Sequence, residues 1–175
     1  MKHSARFLSL LLLVGAGFVA SNCGSDDGGG TSQQQTQFTK LQADWTVSSV
    51  SGTSGGPDWN DEFEGGVLSL AKSQTFSENG EFTYTFSVPD GVVTSPWPAE
   101  GLWKFGSNAA SNITRLDSKL NGGVGAFADV PMTYKLENGD KTLTLEFTIP
   151  EGTSYSIGGK TASVTGNWTF IFTRP

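Results

Sequence analysis

Glu81-Phe82-Thr83-Tyr84-Thr85-Phe86-Ser87-Val88 is the stretch whose reading decides the fold. Its period of two puts Phe82, Tyr84, Phe86 and Val88 on one face and Thr83, Thr85 and Ser87 on the other, the pattern of a strand with one buried and one wetted side. Lys141 to Ile149 repeats it, with Leu143, Leu145, Phe147 and Ile149 set against Thr142, Thr144, Glu146 and Thr148. So does the last stretch, where Val164, Trp168, Phe170 and Phe172 oppose Thr165, Asn167, Thr169 and Thr173. Shorter candidates are Trp45 to Val50, Gly66 to Leu70, Gly101 to Phe105, Asn112 to Leu116 and Met132 to Glu137. Asn79-Gly80, Asn138-Gly139 and Gly158-Gly159 suit hairpin turns that need positive φ, so neighbouring strands should pair antiparallel. No window from residue 38 onward carries an apolar stripe of period 3.6 with a cap, so helices should be few and short. Residues 38–175 are thus expected to form an all-β domain of about eight antiparallel strands. Periodicity leaves an up-and-down barrel and a β-sandwich both open. Burying the Leu143, Leu145, Phe147 and Ile149 face contributes roughly 6 to 12 kcal/mol as an upper bound.

Upstream, the pattern is of another kind. Phe7 to Ala20 is an apolar run preceded by Lys2 and Arg6. It is shorter than the ~20 residues a spanning helix needs, and a basic start, an apolar middle and small residues before a cut describe a secretory signal. Cys23 is the single cysteine of the chain and stands where that cut would fall. Ala20-Ser21-Asn22-Cys23 resembles the lipobox of bacterial lipoproteins, which implies a signal peptide over residues 1–22 and lipidation of Cys23. Acyl chains contribute ~0.8 kcal/mol per buried methylene, so several of them anchor a protein to a membrane. Residues 23–37 hold no apolar side chain larger than a threonine methyl after the cysteine, and read as a flexible tether with an r.m.s. reach of roughly 20 Å. The pair Asp26-Asp27 resembles the export signal of surface-displayed lipoproteins in some Gram-negative bacteria. The expected location is therefore the outer membrane, on the cell surface or otherwise facing the periplasm.

Charge and composition narrow the chemistry. Without residues 1–22 the chain keeps nine basic and seventeen acidic side chains, a formal charge of −8, and no basic cluster. Nucleic acid is an unsuitable partner, because phosphate-backbone affinity comes mainly from Lys and Arg. The one histidine, His3, falls within the expected signal. With Cys23 acylated, neither imidazole nor thiol is available as a catalyst or zinc ligand. No enzyme activity, cofactor or metal is expected.

Four segments sharpen the fold. Leu41-Gln42-Ala43-Asp44-Trp45, Asn79-Gly80-Glu81-Phe82-Thr83-Tyr84, Gly101-Leu102-Trp103-Lys104-Phe105 and Val164-Thr165-Gly166-Asn167-Trp168-Thr169-Phe170 together resemble the small lipocalin-like domains of bacterial lipoproteins. That resemblance spans residues 41 to 174 and implies an eight-stranded up-and-down barrel with an internal cavity. It also implies a first-strand Trp covered by a basic residue from the end of the last strand, roles that fall to Trp45 and Arg174.

Trp45, Trp103 and Trp168 lie on expected strands and read as barrel filling. Trp59 and Trp97 lie in loop-like segments, Gly55 to Glu64 and Ser95 to Glu100. Each is a candidate ligand-binding residue, able to stack on a sugar ring or line a pocket, and each is equally able to fold back as a plug. The acidic run Asp58, Asp61, Glu62 and Glu64 lacks EF-hand spacing and reads as a solvated loop. Asn112-Ile113-Thr114 and Asn167-Trp168-Thr169 match the glycosylation pattern, which a bacterial chain would rarely use. The leading expectation is a lipid-anchored binding module for a small apolar or glycan ligand. The alternative is a non-catalytic accessory lipoprotein docking to an outer-membrane partner, and a carboxylate-dependent hydrolase is the weakest reading. An interior filled by Trp103, Trp168 and Phe170 would count against a deeply held ligand.

Overall fold

The computed structural model describes residues 31–52, 59–88, 95–123, 127–151, 154–157 and 160–175. Cys23, Asp26, Asp27, Asp58 and the Gly158-Gly159 turn lie outside the described residues. A helix, α1 (Gln33–Leu41), precedes β1 (Ala43–Gly52), and a short helix, α2 (Trp59–Phe63), precedes β2 (Val67–Leu70). Then come β3 (Phe82–Ser87), β4 (Glu100–Phe105), β5 (Asn112–Arg115), a 3-10 turn over Asp117–Gly123, β6 (Val130–Glu137) and β7 (Thr142–Ile149). The short strands β8 (Ser154–Ile157) and β9 (Lys160–Ser163) pair as a separate antiparallel ribbon before β10 (Gly166–Thr173).

Eight strands close into one antiparallel up-and-down barrel in the order β1-β10-β7-β6-β5-β4-β3-β2. All eight expected strands are present, and the barrel, not the sandwich, is the closure adopted. β1 makes that closure possible. Its first half pairs with β2 through Ala43–Thr46, its second half pairs with β10, and a register shift between Val47 and Ser49 bends it between the two. Such irregularities sharpen local twist, which a small closed sheet requires. Alternation then sorts the faces: Phe82, Tyr84 and Phe86 are buried while Thr83, Thr85 and Ser87 are exposed.

The turns behave differently from the dipeptide reading. Asn138, Gly139 and Asp140 all take positive φ (53°, 66° and 62°), and Lys141 N–H donates to the Glu137 carbonyl at 3.0 Å, a four-residue loop in place of a two-residue turn. Asn79 takes positive φ (54°) at the end of a longer β2–β3 connection.

One end of the barrel is stoppered by α1. Ser32 caps it by accepting from Gln35 N–H at 3.1 Å, and its Phe38 and Leu41, one turn apart, are buried on the barrel. Phe38 packs on Phe82 and Phe76, with ring centroids 4.7 and 5.6 Å apart. Gln34 and Ser32 also bond Asn79 and Glu78 of the β2–β3 connection. Residues 33–37, expected in the tether, are therefore helical, because a capped run of good helix formers delivers two apolar side chains to the barrel end. Beneath the helix, Trp45 Nε1 donates to the Leu41 carbonyl at 2.9 Å. Arg174 lies over the Trp45 ring, 4.7 Å from its centroid, and donates to the Lys40 carbonyl at 3.0 Å. The two residues that the resemblance pairs are thus in contact.

Candidate functional site: the tryptophan mouth

The opposite end is where the connections after β1, β3, β5 and β7 leave the barrel, among them α2 and the Ser95–Pro98 segment, while the 3-10 turn after β5 runs back over the outer wall, where Lys119 pairs with Glu81. Both loop tryptophans are at this end. Asn60 fixes α2 by accepting from Val50 N–H at 2.8 Å. Trp59, half-buried, meets Trp168 edge-on with centroids 4.9 Å apart. Gly52 lets the Trp168 ring approach the backbone; a Cβ there would lie 2.8 Å from it.

Trp97 is not at a loop tip. It is 2 % exposed and sits between Tyr84 and Phe86 of β3 and Phe147 of β7, at centroid distances of 5.4, 5.8 and 5.5 Å. β3 and β7 lie on opposite sides of the closed ring, so one indole spans the lumen. Of the two roles open to Trp97 on sequence, the plug is the one adopted. Burying a tryptophan's ~150–250 Å² contributes roughly 4 to 6 kcal/mol as an upper bound.

Against the plug lies a charged pair that sequence reasoning missed. Arg115 and Asp117 are both 0 % exposed. Arg115 Nε and Nη2 donate to the two carboxylate oxygens of Asp117 at 2.7 and 2.8 Å, a bidentate bond. Its Nη1 donates to the Pro96 carbonyl at 2.9 Å. The guanidinium carbon is 4.9 Å from the Trp97 ring centroid and 5.4 Å from that of Phe147. A signal was present in the sequence: period two places Arg115 on the inward face with Ile113, and an inward charge needs a nearby counter-charge.

The five tryptophans divide by their indole N–H groups. Trp45, Trp103 and Trp168 donate to the carbonyls of Leu41, Thr83 and Val164 at 2.9, 3.3 and 2.9 Å. Trp59 Nε1 and Trp97 Nε1 are buried and have no acceptor among the described residues. The division follows the element: the three on barrel strands, Trp168 at the mouth among them, are satisfied, and the two carried by connections are not.

Among the described residues the rest of the interior is densely packed. Trp103, Trp168 and Phe170 are each at most 2 % exposed, and Phe170 touches Phe63, Phe86, Phe147 and Phe172 at 5.4 to 6.1 Å between centroids. That packing counts against a ligand held deep in the barrel. An open groove of about 450 Å³ runs instead over the outer wall, between Asn112, Thr133, Glu146, Thr148, Asn167 and Thr169, and contains both sequon asparagines. Asp61 and Glu64 are exposed and Glu62 half-buried, whereas the carboxylate buried among the described residues, Asp117, is bound to Arg115. Among the described residues no three metal-ligating side chains come together.

Fold and mouth define the class, an eight-stranded antiparallel up-and-down barrel, an architecture compatible with a lipocalin-like binding module. Comparison with protein-family models, with curated proteins and with solved structures finds no match to this chain.

Proposed function

We propose that this protein is a lipid-anchored, lipocalin-like binding module, non-catalytic, that takes a small apolar or glycan ligand at the mouth bearing Trp59 and Trp97. The observation that carries the reading is the division of the tryptophans. A buried donor left without an acceptor costs about 1–3 kcal/mol, and two such donors sit at one end of a barrel whose other indoles are satisfied. A ligand with hydrogen-bond acceptors and an apolar body would answer both groups. Cys23 supplies the anchor through its lipobox-like context, and the outer membrane, with the chain displayed on the cell surface, is the location that goes with it.

Native mass spectrometry of the protein extracted from its own membrane tests both halves. Acyl mass lost in Cys23→Ser, with labelled palmitate entering the parent chain alone, is the result expected of the anchor. A retained small molecule that is depleted in Trp59→Ala is the result expected of the mouth; a parent chain carrying no small molecule counts against it. The filled interior favours a second reading, an accessory lipoprotein that docks to an outer-membrane protein and holds nothing small. Co-extraction of one stoichiometric protein partner without a ligand would select that reading.

A further inference from the structure

The segment that carries Trp97 is fastened unlike any wall of the barrel. Ser95–Pro98 belongs to no strand, and Pro96 and Pro98 have no N–H to give to a ladder. Trp97 N–H is turned back on the segment itself, donating to Ser95 Oγ at 3.0 Å. Among side chains, Arg115 reaches the segment from the wall, by the Nη1 bond to the Pro96 carbonyl and the guanidinium set over the indole, while just beyond the segment the Ala99 carbonyl accepts from Phe86 N–H of β3 at 2.7 Å. The indole is thus an apolar body in a lumen of aromatic rings that meet it edge-on or tilted, with its own N–H unanswered among the described residues and the Arg115 guanidinium as its side-chain latch.

We propose that Trp97 is a displaceable plug latched by Arg115, and that the space it occupies is the deep part of the ligand site, suited to a planar, uncharged, largely apolar molecule carrying one hydrogen-bond acceptor. This rests on the reading of the mouth as a binding site. The planarity follows from the lining, since Tyr84, Phe86 and Phe147 already hold a flat indole between opposite walls. The acceptor follows from Arg115 Nη1, which loses the Pro96 carbonyl when the segment leaves. The absence of charge follows from Asp117, whose bidentate bond already balances Arg115. An anion entering that space would face the Asp117 carboxylate where solvent screens little.

The experiment is hydrogen exchange of the indole N–H groups in the full-length, 15N-tryptophan-labelled protein. Trp97 is expected to exchange at least about tenfold faster than Trp103 and Trp168, by a local opening insensitive to sub-denaturing urea. Arg115→Lys keeps the charge beside Asp117 but loses the fork, and is expected to accelerate Trp97 further while leaving Trp45 unchanged. Trp97 exchanging in step with Trp103 and Trp168, with their urea dependence, would overturn the plug whether or not the mouth binds a ligand. Quinoline, naphthalene and 2-naphthoate then test the chemical class, on the parent chain by the Trp97 N–H signal and on Trp97→Gly by thermal shift. Quinoline should perturb most and 2-naphthoate least; 2-naphthoate binding best, or none of the three perturbing the Trp97 signal, overturns the class. Failure of the mouth reading is distinguished by ligand retention that Trp59→Ala leaves unchanged while Trp97 still opens locally.

Discussion

Each end of this barrel holds a tryptophan beneath an arginine, and the two pairs are put to opposite uses. At the α1 end, Arg174 sits 4.7 Å over Trp45, whose N–H is bonded to Leu41, and the arginine's own donor is spent on the Lys40 carbonyl. At the mouth, Arg115 sits 4.9 Å over Trp97, whose N–H has no acceptor among the described residues, and a fully buried carboxylate is needed to balance the charge. The contact distance is nearly the same, so the cation–π term does not separate the ends. Hydrogen-bond satisfaction and desolvation do: the first pair completes a closed cap, while the second holds a buried charge whose cost is offset only as long as Asp117 stays in place.

The comparison can be broken most forcefully at the buried charge. Removing one partner of a buried ion pair costs about 3–5 kcal/mol, so Arg115→Met should lower stability to urea by that amount, and the double variant Arg115→Met/Asp117→Leu should recover most of it. A double variant no better than the single one would show that the pair does more than neutralise itself. Next in size is Trp45→Phe, which strands the Leu41 carbonyl and should cost about 1–3 kcal/mol beyond lost packing. Trp97→Phe has no indole bond to lose, so its midpoint should fall distinctly less; equal losses would erase the distinction between the ends. Arg174→Ala, at the partly exposed cap, should cost about 1–2 kcal/mol through one hydrogen bond and one cation–π contact.

The smallest effect is on pH. Burial raises the Tyr134 phenol above its usual ~10, and its hydroxyl hydrogen-bonds the Ala109 carbonyl and lies 3.2 Å from Gln37 Oε1 of α1. A group whose folded pKa is raised contributes stability that is present below the unfolded value and lost as pH rises toward the folded one. Thermal melts should therefore show the cap weakening above pH ~10, and Tyr134→Phe should flatten that alkaline limb.

How much of this was legible in the sequence depends on which physical signal each part uses. The strands were legible because Phe82, Tyr84 and Phe86, or Leu143, Leu145 and Phe147, announce one buried face by alternation alone. Barrel closure was not legible in the periodicity and was expected only from the resemblance to lipocalin-like domains, since it depends on how the register shift at Val47–Ser49 lets β1 serve two neighbours. The helix α1 was hidden by its composition: only Phe38 and Leu41 in nine residues are large and apolar, and their value appears only against the barrel end. Trp59 and Trp97 stood out as loop aromatics, yet their missing acceptors are three-dimensional facts. Arg115 was masked by the tendency to read an isolated arginine as solvated, although its parity with Ile113 pointed inward.

The stopper α1 has a consequence for polarity. Ser32 hands the chain to the barrel at the capped end, so any pull exerted from upstream is delivered there, through the helix and the Lys40–Arg174 bond. The load would fall on the end that Trp45 and Arg174 close, and the Trp97 end would carry none of it directly.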